Sequence, residues 1–501
     1  VLLALGLLGA IWLGLRASVR AGLRPIGALL LDFGVIMAGW GLFLSLTARP
    51  LVAVVIVAGL AIGLIVVDRV KRAVLREAVV FADRAELGEL VRHPQLYLPF
   101  AGTGRVLGGA AVIIGGFVVL LLVERPIWPF SLLKPALGIG AVLALWWLPG
   151  RRALLPRLQS VYARLRPSRE PLADAQRFGL LAGFVIHATL ARAERQGRQA
   201  GLAPRARSGR VPTGTIVLVQ SESFFDVTRL DPTLANTVLP HYCACRDTAL
   251  STGRLDVPCW GANTIRTEFA VLTGIDEERL GLDRFNPYAA FARTTIESLA
   301  WQAKAAGWRT VCVHPFDLSF YGRNRVLPML GFDTLIGAEA FAHAPRGGAY
   351  VTDVALAERV AAELDGTEEG GVLVFAITME GHGPWDAPGG DSGADALALP
   401  PALAGVAEST ALARFLFRQR AADRAVPVLT EALARRPGRG LLALYGDHQP
   451  SLPKAFAALG LTDPRTDYVI WANGGAGTGV RHDLSAVELG SAVRQAAGWL
   501  E

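Results

Sequence analysis

A chain of 501 residues has room for more than one domain, and at 52% hydrophobic residues with a mean hydropathy of +0.38 it is too apolar for an ordinary soluble enzyme. The net charge of +7 is unevenly placed: residues 151–210 hold 13 arginines against Glu170, Asp174 and Glu194, a local +10 that leaves −3 for the rest. Basic charge is therefore a juxtamembrane feature, not a property of the whole molecule.

The apolar runs come first: Val1–Leu15, Ile26–Leu46, Leu51–Val67, Val106–Val123 and Ala136–Pro149. A hydrocarbon core demands about 20 residues of helix. The middle runs approach that length and the first and last fall short. Five spans are expected, in a membrane domain over residues 1–150. With valine in first position the chain starts at a GTG codon or at a trimmed edge, so the first span is expected to be incomplete or short. Arg16, Arg20 and Arg24 follow the apolar run instead of preceding it, which argues for an anchor over a cleaved signal peptide.

Residues 151–210 then read as a basic connector, either an anchor of the positive-inside kind or a surface attracted to anionic headgroups. Within it, Phe178–Leu190 (FGLLAGFVIHATL) is too short to cross comfortably and is read as an interfacial helix.

From Val211 to the end the composition is that of an α/β domain. β-rich runs at Thr215–Gln220, Thr310–Val313, Gly371–Thr378, Leu441–Tyr445 and Tyr468–Ala472 alternate with helical stretches such as Thr294–Ala306 and Val354–Leu364. That alternation predicts a mostly parallel sheet. Each of the first four strands is followed by a segment carrying acids or histidines: SES, HPFD, MEGHGPW and GDHQP. Ligands bind at the carboxyl ends of such strands, so Glu222, His314, Asp317, Glu380, His382, Asp447 and His448 are expected to converge.

Asp447 and His448, beside the turn-permitting Gly446, form a compact pair of divalent-metal ligands, and read alone they are as well explained by a helix cap and a satisfied histidine. Glu222 is a loop acid unless that pair gives it a metal to share. In WGANTIRTEFAVLTG, Thr264 stands at the start of an apolar-periodic helix, where the helix dipole favours an alkoxide and a phosphate. A plain N-cap threonine is the simpler reading, displaced only if an anionic metal site lies beside it. Cys243, Cys245, Cys259 and Cys312 show no metal spacing. A Cys243–Cys245 bridge would be strained.

Taken together, QSESFFD, GANTIRTEFAVLTG, HPFDLSFYGRNRVLPMLGFD, ITMEGHGPW and YGDHQP, in this order behind the apolar runs, resemble the lipoteichoic-acid-synthase and phosphoglycerol-transferase family of the alkaline phosphatase superfamily. The resemblance implies a sulfatase-like α/β catalytic domain over 211–501, with Glu222, Thr264, Asp447 and His448 around one divalent ion, Mn²⁺ first and Mg²⁺ or Zn²⁺ as alternatives. It places substrate contacts on His314, Tyr321, Arg323 and His382, and Tyr321 stands where related synthases can have tryptophan. The implied reaction has Thr264 attack phosphatidylglycerol, hold glycerophosphate covalently and pass it to a periplasmic or surface glycan, with His382 moving the proton. The partners implied are a phospholipid, a glycan and the membrane, and no nucleic acid. The implied location is the cytoplasmic (inner) membrane, multi-pass, with the catalytic domain facing the periplasm or cell exterior. Five spans would then put the basic loops Arg16–Arg24 and Asp68–Glu77 outside, against the positive-inside tendency, unless Phe178–Leu190 made a sixth crossing.

Two other readings compete. A phosphoethanolamine transferase shares fold, metal and nucleophile and differs in its donor, whereas sulfate-ester chemistry needs a C/S-x-P-x-R sequence that is absent from the chain. A non-catalytic lipid or glycan sensor would have lost Thr264 or a metal ligand, and none is missing.

Overall fold

The computed structural model describes residues 1–129, 131–147, 151, 154–198, 214–366, 370–385, 397–475, 477 and 479–499. The chain divides into two units, Val1–Gln199 with Gly281–Phe285, and Ala200–Leu280 with Asn286–Glu501.

In the first unit each apolar run, over its described residues, holds a helix. Ile26–Thr47, Pro50–Leu75 and Thr103–Val123 are long and apolar enough to cross a membrane. The first and fifth runs form Leu2–Ser18 and Leu133–Trp147, of 17 and 15 residues. At 1.5 Å per residue these fall short of a ~30 Å hydrocarbon core, so three helices meet the length requirement where five spans were expected. Thr103–Val123 has no buried residue, and beyond Arg105 its surface is apolar all round, which suits lipid contact. Glu124 accepts the Leu51 and Val52 N–H groups at 2.8 Å, capping the start of the Pro50–Leu75 helix from a distant part of the chain.

The opposite ends of the first and third helices meet the connector. Arg16 donates to the Phe178 carbonyl at 2.9 Å, the Gly22 N–H to Gln176 at 3.2 Å, and Arg72 to the Ser18 carbonyl at 3.2 Å. The basic loops after both helices therefore share one end of the unit with Gln176 and Phe178. Much of their charge is neutralised inside the fold: Arg16 pairs with Asp32 (2.9 Å), Arg72 with Asp68 (2.7 Å) and Lys71 with Asp83 (2.8 Å). A charge count by sequence overstates what such loops present to a membrane.

Phe178–Leu190 is broken by Gly179, whose φ of +93° no side chain favours. The helices on either side are Pro171–Phe178 and Leu180–Arg198. Phe178, Ala182, Ile186 and Leu190, spaced by four, are buried with Leu282 and Phe285. The second helix is not among those long and apolar enough to cross. Its far end holds the short segment Gly281–Phe285, whose Asp283 is gripped by Arg195 (2.9 Å) and Arg198 (3.0 Å).

In the second unit the strands are β1 (Gly214–Ser221), β2 (Ser251–Asp256), β3 (Arg309–Val313), β4 (Thr334–Ile336), β5 (Arg346–Gly347), β6 (Tyr350–Val351), β7 (Val372–Ile377), β8 (Arg439–Gly446), β9 (Thr466–Ala472) and β10 (Leu484–Ser485). Eight of them form one sheet in the order β10-β2-β9-β8-β1-β7-β3-β4, and β5–β6 is a separate hairpin. β8, β1, β7, β3 and β4 run parallel, and β9 is antiparallel to β8 and β2. The mostly parallel sheet expected from the alternation is present. Both faces are covered: Val217 and Val219 of β1 enter one core, Ile216 and Leu218 the other. Burial on both sides is why these strands read as continuous apolar runs. The helix expected from Thr294 starts only at Leu299, because the Ser298 hydroxyl accepts the Trp301 N–H at 3.1 Å and fixes the cap there. The four cysteines are free.

Candidate active site

The pairing register delivers the strand-end residues to one edge. Ser221 of β1 is level with Gly446 of β8, Gln220 with Ile377 of β7, and Val313 of β3 with Ala376 of β7. The next residue on each strand is Glu222, Asp447, Thr378 or His314. Close backbone packing holds this edge together: a Cβ on Gly446 would collide with the Phe224 carbonyl, and one on Gly381 with the Glu222 carbonyl.

Glu222, Asp447 and His448, all buried, bring one ligand atom each within 4.8 Å of one another. Asp447 Oδ1 accepts the N–H groups of Ser223 and His448, both at 2.8 Å. Its Oδ2 is buried without a hydrogen-bond partner and lies 3.3 Å from His448 Nε2. His448 Nδ1 is 3.0 Å from the Gln449 carbonyl, which can only accept, so Nδ1 carries the hydrogen and Nε2 offers its lone pair. Glu222 Oε1 is 3.7 Å from that Nε2 and accepts from the Ser223 hydroxyl at 2.8 Å. Burial, and then the Asp447 charge, push the Glu222 carboxyl up to about 7. Two crowded carboxylates, an orphaned oxygen and an aimed imidazole fit one divalent cation, and an O,O,N donor set suits Mn²⁺, Mg²⁺ or Zn²⁺.

Thr264 is buried at the head of the helix Ile265–Thr273, and its side chain does not cap that helix. Among the described residues its hydroxyl has no hydrogen-bond partner. The segment around it is tied to the Asp447–His448 loop: Thr267 Oγ1 donates to the Asp447 carbonyl at 2.7 Å and the Gly261 N–H to Gln449 at 3.2 Å. Asn263 just before it has φ +71°, a left-handed turn that sets the helix direction.

Arg323 and Glu268, 2% and 0% exposed, form a buried ion pair at 2.9 Å. Arg323 Nη1 also faces His314 Nε2 at 3.3 Å, while His314 Nδ1 donates to the Ile377 carbonyl at 3.1 Å. Burial and the adjacent guanidinium hold His314 well below its ordinary range, so it is neutral and accepts from Arg323. Tyr321 packs its ring 4.2 Å from Phe320, with the Arg323 guanidinium 5.5 Å above it. His382 Nδ1 lies 2.6 Å from the Gly383 carbonyl and 3.2 Å from the Tyr350 hydroxyl, and burial lowers its pKa. Nε2 is thereby its basic nitrogen.

Two of the seven strand-end residues go elsewhere. Asp317 accepts from the N–H and hydroxyl of Ser319, and the Glu380 and Asp353 carboxylates each accept the other residue's backbone N–H. The sequence reading missed Glu268, which also accepts from Gln220 and the Tyr288 hydroxyl. An acid in the middle of the apolar run TEFAVL, one turn after Thr264, was the available signal. Replacing Glu268 with Gln leaves Arg323 an uncompensated buried charge. A lost partner of this kind costs about 3 kcal/mol. The full chain in detergent should melt several degrees lower, and an unchanged melting temperature would contradict the pairing.

Asp353 sets a pH dependence. Burial and the nearby Glu380 push its carboxyl up from 3.8 to about 8. The folded state keeps a proton that the unfolded chain releases, so stability falls as pH rises from about 4 to about 8. Asp353→Asn should flatten that decline in melting temperature against pH; a parallel curve would refute the assignment.

Residues 215–499, more than half of the chain, match the family described as Sulfatase. The chain is similar to "Capsular polysaccharide biosynthesis protein RkpI" of Rhizobium meliloti (strain 1021), 29% identical over 448 residues, 85% of this chain and 78% of that protein. It is also similar to that organism's "Putative cyclic beta-1,2-glucan modification protein", 25% identical over 383 residues, 72% of this chain and 57% of that one. Among solved structures, the Streptococcus pyogenes phosphoglycerol transferase GacH in complex with sn-glycerol-1-phosphate superposes with a TM-score of 0.47 at 18% identity, over 62% of this chain and 78% of that one. The parallel sheet, the motifs at its carboxyl edge and the matched span converge, and the chain belongs to the sulfatase family.

Proposed function

We propose that the protein is a membrane-anchored transferase that moves glycerophosphate from phosphatidylglycerol to an envelope glycan through a covalent intermediate on Thr264. The observation that carries this is the uncapped Thr264 hydroxyl at a helix N-terminus, tied through Thr267 to the loop that holds Asp447 and His448. A threonine used only as a cap would bond its own helix.

In the first step the Thr264 Oγ–P bond forms and the P–O bond to diacylglycerol breaks, the departing oxygen taking a proton. In the second, a glycan hydroxyl forms its O–P bond, the Thr264 O–P bond breaks and threonine regains its hydrogen. His382 Nε2, as base, takes the Thr264 proton and passes it to the departing oxygen in the first step, then takes the glycan hydroxyl's proton and returns it to Thr264 in the second. Arg323, held by Glu268, faces the phosphoryl oxygens together with the helix N-terminus. Glu222, Asp447 and His448, with Thr264 beside them, would hold a divalent cation, which would neutralise charge and lower the pKa of the threonine hydroxyl. The catalytic domain then faces the periplasm or exterior, where donor headgroups and glycans meet. The polysaccharide and glucan named for the two relatives support a glycan as acceptor.

The test is diacylglycerol release from labelled phosphatidylglycerol and, in parallel, phosphatidylethanolamine, with Mn²⁺. Release from the first alone is expected. Release from the second alone would make the protein a phosphoethanolamine transferase. Metal binding without release from either would leave a sensor.

A further inference from the structure

An arginine-lined cleft lies in the N-terminal unit, in residues that take no part in the transfer chemistry. A cleft of about 530 Å³ opens where the Leu2–Ser18 and Pro50–Leu75 helices end, lined by Ser18, Arg20, Arg69, Arg72, Leu172 and Gln176 among others. Its walls are fixed by tertiary bonds: Arg72 is held by Asp68 and the Ser18 carbonyl, and Gly22 is bonded to the Gln176 carbonyl. Arg20 and Arg69 are different. Both are exposed, and among the described residues neither side chain has an ion-pair or hydrogen-bond partner.

The nearby carboxylates are engaged. Asp68 takes Arg72 and the Val79 N–H, Asp32 takes Arg16, and Asp174 takes His187 and Ser168. The cleft therefore carries positive charge from guanidiniums that converge from two helix ends. Guanidinium forks match phosphate oxygens, and they are less strongly hydrated than ammonium groups. The cleft opens at the end of Pro50–Leu75, a helix long and apolar enough to cross a membrane, so its arginines stand where an apolar span meets headgroups. A phosphate presented at the end of an apolar span is that of a phospholipid headgroup.

We propose that this cleft binds the phosphate of an anionic phospholipid headgroup, as a site separate from the metal cluster. Occupancy would seat the helix ends at headgroup depth and hold lipid beside the unit independently of turnover.

The test uses the full chain in detergent, with native mass spectrometry counting retained lipid after addition of phosphatidylglycerol, phosphatidylcholine or inorganic phosphate. Phosphatidylglycerol should be retained above phosphatidylcholine, and the Arg20→Gln, Arg69→Gln double variant should weaken that retention on the order of tenfold or more. Both residues are exposed, so an unchanged melting temperature is expected to accompany the loss. Glu222→Gln, which disables the metal cluster, should keep the site, so failure here and failure of the transfer reading are separable. Equal retention by the double variant would overturn the proposal. Displacement of the lipid by equimolar inorganic phosphate would overturn its assignment to lipid.

Discussion

Thr264→Ala is expected to lower diacylglycerol release from phosphatidylglycerol by roughly a thousandfold or more, the scale of removing a nucleophile that acts as part of a unit. Its fold should be nearly untouched. Loss of a capping threonine typically costs about 1 kcal/mol, but this side chain makes no cap bond. A sharp fall in activity with an unchanged melting temperature separates a nucleophile from a cap. Thr264→Ser keeps a hydroxyl and should keep measurable turnover. A variant that lost stability and activity together would instead return Thr264 to a structural role.

Asp447→Asn should produce the second large effect. The asparagine carbonyl can still accept the Ser223 and His448 N–H groups, so the loop is held as before. What is lost is the anionic Oδ2 that faces His448 and Glu222. Metal affinity should fall by roughly a hundredfold or more, since even indirect contacts to a metal are worth 10–100-fold. Without metal the variant should melt higher than the parent, because one of two crowded buried carboxylates has become neutral. With Mn²⁺ the order should reverse, as only the parent gains from binding. Thermal unfolding with and without Mn²⁺, Mg²⁺ and Zn²⁺ reads both effects and ranks the metals. A parent chain that gained nothing from any of them would contradict the assignment of the cluster.

The parts legible in the sequence share a physical cause. β1, β7 and β8 are buried on both faces, so their apolar runs announce them within a residue or two of the observed ends. β2 (STGRLD) lies toward the sheet's other side against β9 and β10, half polar, and has no such signature. The hairpin β5–β6 is two residues per strand and is defined by its long-range surroundings. Helix length in the membrane unit was blurred for a similar reason: hydropathy marks where apolar residues are, while caps such as Glu124 on Leu51 and turns such as Gly179 decide where helices begin and end.

At the active site, motif spacing named Glu222, Thr264, Asp447 and His448, but only the register of Ser221 against Gly446 brings the two acids level. Glu268 escaped because its partner Arg323 is 55 residues away, a separation no local pattern encodes. Asp317 and Glu380 were included because they follow strands. Strand ends also need turns and buried hydrogen-bond acceptors, and these two acids serve that purpose.

The central claim is the bond between Thr264 and phosphorus. Labelled phosphatidylglycerol, given to the purified chain with Mn²⁺ and no glycan, should leave a glycerophosphoryl group on the peptide that contains Thr264, absent from Thr264→Ala and discharged when acceptor glycan is added. Diacylglycerol release at the parent rate with no label on Thr264 would contradict the account.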